Sequence, residues 1–286
     1  MWIADGWSDY AVLDCGGGEK AEKWGAYTLI RPDPQAIWTR QGPAAWAKPN
    51  AVYHRSKSGG GQWEIHHLPA QWKIQYKQLV FNLKPMAFKH TGVFPEQAVN
   101  WDFIMNIIGC AGRPVNVLNL FAYTGGATLA AAAAGASVCH VDASKGMTNW
   151  ARENAAASGL ADKPIRWIVD DCRKFVQREL RRGRKYDAII LDPPSYGRGP
   201  SGETWKIEDD IADFLTLTMQ LLSDTPLFVL ISSYSAGLAP SVMAYLLGIT
   251  AGKQHKGKIE AQEIGLPVQS TGLVLPCGSS ARFTAG

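Results

Sequence analysis

Four apolar runs, each finishing in a turn or an acid, constrain this 286-residue chain more than anything else in it. Val115–Phe121 breaks into the small-residue turn Tyr123-Thr124-Gly125-Gly126-Ala127. A second run ends on His140-Val141-Asp142, and a third on Ile168-Val169-Asp170-Asp171. The fourth, Ala188–Leu191, ends on Asp192-Pro193-Pro194-Ser195-Tyr196. Segments of helical length separate them. Strands that alternate with helices and end on a common rim describe a mostly parallel α/β sheet. Ligands of such sheets bind outside the carboxyl ends of the strands, where the strand order reverses. The residues at those ends therefore say which ligand.

The pattern predicts helices at Asn100–Ile108, Ala127–Ala134, Ser144–Ser158, Cys172–Arg182, Glu208–Leu222 and Pro240–Leu247. Gly135, Gly159 and Gly183 follow three of them, the expected C-terminal punctuation. Strands are expected at 115–121, 137–142, 165–169, 186–191, 227–232, 258–264 and 271–276. The last two are joined by only Gly265–Ser270, too short for a parallel crossover, so they must pair antiparallel. Residues 1–85 read differently. Short segments at Tyr10–Leu13, Tyr27–Ile30 and Trp63–His67 lie between Gly16-Gly17-Gly18, Pro32-Asp33-Pro34 and Gly59-Gly60-Gly61. That is a small β-rich domain with a possible role in substrate recognition, followed by a cofactor-binding domain over 86–286.

The first turn has only Gly125-Gly126, where a dinucleotide fold needs G-x-G-x-x-G to approach a pyrophosphate. Asp142 lies 23 residues beyond Asn119, close to the roughly 20-residue spacing at which a strand-two acid takes a ribose diol. A ribose acid without a phosphate cradle points to a phosphate-free adenosine ligand, and S-adenosylmethionine fits. A carboxylate at Asp170 or Asp171 suits an exocyclic amine. One of the two caps the helix from Cys172 and the other faces the adenine. Two prolines in Asp192-Pro193-Pro194 fix φ and remove two donors, so their carbonyls can serve as acceptors beside Tyr196.

With these motifs in this order, the chain resembles the class I S-adenosylmethionine-dependent methyltransferases. More narrowly it resembles the bacterial branch related to large-subunit ribosomal RNA methyltransferases of the 5-methylcytosine type. The resemblance runs from about Phe88 to Phe283 and includes Thr91-Gly92-Val93-Phe94-Pro95-Glu96-Gln97 and Val141-Asp142-Ala143-Ser144. It implies a Rossmann-like sheet, mostly parallel with the last strand antiparallel. It also implies a cofactor site of Phe94, Glu96 and Gln97, the turn residues Asn119, Phe121, Ala122, Tyr123, Thr124, Gly125 and Gly126, then Asp142, Ala143, Ser144, Asp170, Asp171 and Asp192. It favours Asp171 over Asp170 for the adenine. Asp192, Pro193, Pro194 and Tyr196 are the expected catalytic group, and RNA, ribosomal in that family, is the expected partner.

Two departures matter. In amino-methylating relatives the aromatic directly follows the prolines, whereas here Ser195 intervenes before Tyr196. The related RNA enzymes also carry a cysteine just after the fifth strand, because C5 of cytosine must be activated by a thiolate. This chain reads Ile231-Ser232-Ser233-Tyr234-Ser235 there, so direct transfer without a cysteine adduct is expected. Five cysteines without CxxC or Cys/His spacing imply no metal and a reduced, cytoplasmic setting. No apolar stretch reaches membrane-span length.

A net charge of +4 permits nucleic acid without requiring it. The N-terminal tryptophans, interleaved with Arg40, Lys48, Arg55, Lys57, Lys73, Lys77 and Lys84, are either the core of the small β element or stacking platforms for bases. Arg178, Arg181, Arg182, Arg184 and Lys185 read as a solvated face. The rival readings are a methyltransferase acting on a small molecule or protein, a noncatalytic cofactor- or RNA-binding module, and an oxidoreductase of the NAD type.

Overall fold

The computed structural model describes residues 1–56, 60–198, 204–235 and 237–286. Lys57 and Gly59, named above, lie outside them. Contacts divide the chain into two units, Met1–Val99 with Ile264–Cys277, and Asn100–Glu263 with Gly278–Gly286. The sequence puts the boundary at 85/86. The structural division falls at 99/100 because residues 84–97 are tied to the first unit, for instance by the Trp7 indole N–H donating to Pro95 O at 2.9 Å.

In the first unit β1 (Trp2–Ile3) pairs in parallel with Ile264-Gly265. Strands β2 (Tyr10–Gly16), β3 (Glu19–Trp24), β4 (Tyr27–Pro32), β5 (Ala51–Arg55) and β6 (Gly61–Ile65) form a sheet in that order. A separate hairpin joins β7 (Trp72–Tyr76) and β8 (Leu79–Leu83). In β7 buried Trp72, Ile74 and Tyr76 alternate with exposed Lys73 and Gln75, the period of two that makes a half-buried strand. Large aromatics carry the core: Trp24, Tyr76 and Phe81 are fully buried. The unit also buries charge. Glu22 on β3 accepts from Arg31 Nε (2.6 Å) and Nη2 (2.7 Å) on β4, and from the Tyr10 hydroxyl (2.7 Å) on β2.

The second unit alternates helix and strand as the sequence predicts. Its elements are α1 (Ala98–Gly109, mostly in this unit), β9 (Asn116–Leu120), α2 (Gly126–Ala133), β10 (Ser137–Asp142), α3 (Lys145–Ala157), β11 (Ile165–Val169), α4 (Cys172–Arg181) and β12 (Ala188–Leu191). The hairpin β13–β14 (Tyr196–Arg198 and Thr204–Lys206) leads into α5 (Ile207–Met219), β15 (Phe228–Ser233), α6 (Pro240–Ile249), α7 (Ala251–Gln254), β16 (Gly257–Pro267) and β17 (Val274–Ala285). Sheet order is β16-β17-β15-β12-β9-β10-β11. Neighbours from β15 to β11 are parallel, and β17 runs antiparallel to β15. Leu118, Leu120, Ile189, Leu191, Val229 and Ile231 are buried, as continuous apolar runs in a sheet covered on both faces should be. Gly135, Gly159 and Gly183 all have positive φ just past their helices.

Candidate functional site: the carboxyl edge of the second unit's sheet

The chain winds from β9 outward through β10 to β11, then crosses back to β12 on the other side of β9. The strand order therefore reverses between β9 and β12, and the turn after β9 faces the Asp192-Pro193-Pro194 end of β12. A crevice for a ligand belongs there.

The β9 turn is built under backbone strain. Phe121 (φ 55°) and Tyr123 (φ 51°) are left-handed although neither is glycine, a cost of about 1–2 kcal/mol each. Fixed contacts hold them. The Phe121 N–H donates to Cys172 Sγ at 3.3 Å, and the Tyr123 N–H to Asp142 Oδ2 at 2.8 Å. Asn154 Nδ2 of α3 donates to Thr124 O at 3.0 Å. The two glycines have separate reasons. Gly125 caps α2 in a left-handed conformation (φ 89°), whereas a Cβ on Gly126 would fall 2.7 Å from the Trp101 ring. Strain of this kind at a sheet's binding edge is retained where function needs the shape.

Asp142 ends β10, half-buried. Its carboxylate accepts from two backbone amides, Tyr123 and Ser144 (both 2.8 Å). Burial pushes it above the ordinary aspartate range, and those amides pull it back only in part. A carboxylate offers about four lone-pair sites, so roughly two remain for a diol. Asp142 does not cap α3. Ser144 does, taking the Met147 N–H at 3.3 Å, and Ala143 is exposed beside it.

The expected division of labour between Asp170 and Asp171 comes out differently. Asp171 Oδ1 caps α4 by accepting from Lys174 N at 2.9 Å, because it immediately precedes that helix. Asp170 accepts from Asp171 N and pairs with Arg178. Neither carboxylate is wholly free for an adenine, and Asp171 has the fewer partners. Pairing of Arg178 with Asp170, and of Arg182 with Glu179 at 2.9 Å, accounts for part of the basic cluster on α4.

Asn119 lies on β9, one residue before its carboxyl end. Its side chain is buried, and Nδ2 donates to Thr128 Oγ1 (2.9 Å), which meets His140 Nδ1 at 2.9 Å. Asn119 Oδ1 and His140 Nε2 have no partner among the described residues. Burial, with Arg152 adding to it, drops His140 to about 3 and keeps it neutral. This chain ties α2 to β9 and β10. Sequence reading missed Thr128 and His140, since nothing in a strand or an Ala-rich helix marks a pair that meets across elements.

At the β12 end the prolyl carbonyls divide. Pro194 O accepts the Trp205 indole N–H at 2.7 Å, so it is not open to an acceptor as the sequence suggested. Pro193 O has no such partner among the described residues. Trp205 also packs on Phe121 and Phe214 (ring centroids 5.2 and 5.5 Å), linking the β9 turn to the β12 strand end. Nothing in the sequence singled it out. Asp192 is half-buried, while Tyr196, on β13, is 52% exposed. Beside them β15 ends in Ser232-Ser233, where Ser232 Oγ lies 3.0 Å from Ser280 Oγ and 3.3 Å from Asn100 Nδ2.

Phe94, Glu96 and Gln97 belong to the first unit, where Pro95–Gln97 form a 3-10 turn with Glu96 and Gln97 buried. Burial raises the Glu96 carboxyl, with Lys20 and Arg31 opposing. The cofactor role expected of these three rests on the family resemblance. Among the described residues no group of three or more His, Cys, Asp or Glu side chains is placed to hold a metal ion, and no helix is long and apolar enough to cross a membrane.

A sheet whose order reverses between β9 and β12, a half-satisfied acid at the end of β10 and a reversed strand at β17 are the Rossmann-like arrangement of a nucleoside-cofactor enzyme. The family model for S-adenosylmethionine-dependent methyltransferases matches residues 42–227, and the chain belongs to that family. S-adenosylmethionine is its cofactor. A solved S-adenosylmethionine-dependent methyltransferase from Agrobacterium tumefaciens is 37% identical, with a TM-score of 0.91 over 99% of this chain and 93% of that one. A methyltransferase of Streptococcus mutans shares the fold at 20% identity (TM-score 0.77, 98% of this chain and 76% of that chain). Ribosomal RNA large subunit methyltransferase K/L of Shewanella frigidimarina is 35% identical over 145 residues. That match takes in 50% of this chain and spans only a fifth (20%) of the relative's length.

Proposed function

We propose that the chain methylates RNA by direct transfer, with no covalent adduct between enzyme and base. The name of the curated relatives, ribosomal RNA large subunit methyltransferases, supports the substrate class. The observation that carries the mechanism is the state of the thiols. Covalent activation needs a thiolate, and β15 ends in serines and Tyr234 instead. Cys172 is buried and its sulfur accepts from the Phe121 N–H, with burial pushing the thiol far up. Cys139 is pushed up to about 11 by burial. Burial likewise raises Cys15 and Cys277 in the first unit. Cys110 follows α1 and precedes β9, on the edge opposite the strand carboxyl ends.

In this reading Asp142 holds the ribose hydroxyls, and the strained Phe121–Gly126 turn fits the methionine end without a phosphate nest. The rim at Asp170 and Asp171 receives the adenine. When bound, the sulfonium supplies an electrophilic methyl, so the protein's task is alignment of an acceptor at about 3–3.5 Å. Asp192 and Pro193 O orient that acceptor by accepting its hydrogens, and Trp205 keeps the strand end rigid. Tyr196 stands on the hairpin beside it.

Labelled cofactor incubated with bulk cellular RNA tests the substrate, and label confined to protein or small molecules overturns it. Trapping with RNA containing 5-fluorocytosine tests the route. A stable complex lost on replacing one cysteine would refute direct transfer. Asp192→Ala is expected to lower turnover with cofactor affinity nearly intact, the pattern of an interaction made in the transition state.

A further inference from the structure

In the first unit the chain between β8 and the Pro95 turn folds back on itself, with Lys84 N–H donating to Thr91 O and Met86 N–H to His90 O (both 3.2 Å). Side chains grip the carbonyls around its apex. The Trp63 indole N–H donates to Met86 O (2.9 Å) and Phe88 O (3.2 Å), the Tyr53 hydroxyl to Ala87 O (3.5 Å), and Arg31 Nη1 to Lys89 O (3.0 Å). Lys89 Nζ donates in turn to Pro32 O at 3.0 Å. Tyr53 and Trp63 meet edge to face at 5.4 Å, and His90 meets Phe94 the same way at 5.1 Å.

Four successive carbonyls are thus fixed, yet the Phe88 side chain between them stands 59% exposed. Hiding a phenylalanine is worth about 1.5–3 kcal/mol, a gain that this well-anchored turn forgoes. The ring lines a cavity of about 260 Å³ with Pro32, Tyr53, Arg55, Lys89 and His90. That is below the roughly 300–1,000 Å³ of pockets that enclose whole drug-sized ligands, and suits one flat ring. Arg55 ends β5, and its exposed guanidinium makes no hydrogen bond or ion pair with the described residues. His90 is held down to about 4 by burial and by Arg31, Lys89 and Lys20, so near neutral pH it offers one N–H and one acceptor nitrogen. An aromatic face, a neutral two-way hydrogen-bonding ring and two cations with no carboxylate in the lining form the complement of an unpaired nucleotide.

We propose that this cavity is a subsite for one unpaired nucleotide of the RNA substrate, its base stacked on Phe88 and its flanking phosphates held by Arg55 and Lys89. The proposal rests on the RNA reading above and assigns the stacking to Phe88 rather than to the tryptophans, of which Trp7, Trp38, Trp46 and Trp63 donate their indole N–H groups internally and Trp24 and Trp72 are buried. The test is fluorescence anisotropy of a short labelled single-stranded RNA with the full chain over a salt series, with S-adenosylmethionine affinity measured alongside. Phe88→Ala should weaken RNA binding roughly five- to hundredfold, Phe88→Tyr should restore it, and cofactor affinity should not move. Arg55→Gln should weaken binding and flatten the salt dependence by about 0.7 in log–log slope. If both variants bind as the native chain does, the subsite is wrong while the RNA reading stands. If the native chain binds no RNA at low salt, both fall. An equal loss on Phe88→Ala with a duplex of the same sequence would also overturn the assignment to an unpaired base.

Discussion

Two carboxylates, one in each unit, show how alike residues diverge. Glu22 is buried inside the first unit's sheet and saturated by two Arg31 hydrogen bonds, the Tyr10 hydroxyl and Lys20 at 3.5 Å. Burial alone would raise it, but Arg31 and Lys20 win and hold it at about 2. Asp142 in the second unit also loses solvent, has no cation beside it among the described residues, and is raised. A saturated acid is a structural member. One that is desolvated yet only half satisfied keeps acceptor capacity for a ligand, which is why we propose Asp142 for the ribose of S-adenosylmethionine.

The largest effect expected from breaking this contrast is Glu22→Gln. It leaves Arg31 buried beside a neutral group, and removing one partner of a buried pair costs about 3–5 kcal/mol. Urea unfolding should show that loss, and an unchanged midpoint would mean Glu22 is no anchor. The two acids also oppose each other in acid. The unfolded chain binds more protons than folded Glu22 between 4.5 and about 2, so stability from Glu22 is present above pH 4.5 and drains as pH falls toward 2. Asp142 has the reverse sign: the folded state holds its proton more tightly, so between 3.8 and its raised pKa stability increases as pH falls. Asp142→Asn should remove that second slope and leave the first.

Next in size is Thr128→Val, which strands Asn119 Nδ2 and His140 Nδ1 beside atoms already lacking partners. A cost of about 2–3 kcal/mol is expected from unsatisfied buried groups, read by thermal unfolding. A neutral result would show that the chain from Asn119 to His140 is incidental to the turn above it.

Smaller in energy but sharper in meaning is Asp142→Ala. Charge-assisted hydrogen bonds are worth about 1.5–3 kcal/mol, so cofactor affinity should fall at least tenfold, about 1.4 kcal/mol, by calorimetry. Asp142→Asn keeps one acceptor oxygen and should lose less. An unchanged affinity in folded protein would remove Asp142 from the site.

The contrast between the carboxylates also explains what could be read in advance. The position of Asp142 at a strand end was legible because its signal is local: a strand ends, a helix begins at Lys145, and Ser144 is there to cap it. The sheet was legible for the same reason, since buried parallel strands and glycine-ended helices write themselves into short windows. Glu22 was not. Its partners Tyr10 and Arg31 lie on neighbouring strands, and a charge in the strand Glu19–Trp24 reads as a solvent face until the sheet closes over it. Trp205 stayed hidden likewise, because capture of Pro194 O depends on how a hairpin folds back. Asp170 and Asp171 fell between. The sequence saw that one must cap α4, but the choice turns on where the helix starts by a single residue.

The smallest expected effect comes from Tyr123→Asn, and it tests whether the β9 turn works through its backbone. Tyr123 sits at φ 51°, a conformation in which asparagine is several-fold enriched and tyrosine strained. The substitution relieves about 1–2 kcal/mol of left-handed strain while giving up the partial burial of the ring, so stability should stay within about 1–2 kcal/mol of native. The contact that matters to Asp142 is the Tyr123 N–H, at 2.8 Å from Oδ2, and asparagine keeps it. Cofactor affinity should therefore be nearly preserved, where Asp142→Ala loses it. A tenfold loss in Tyr123→Asn, measured by the same calorimetry, would move the recognition from the backbone of the turn to the tyrosine ring.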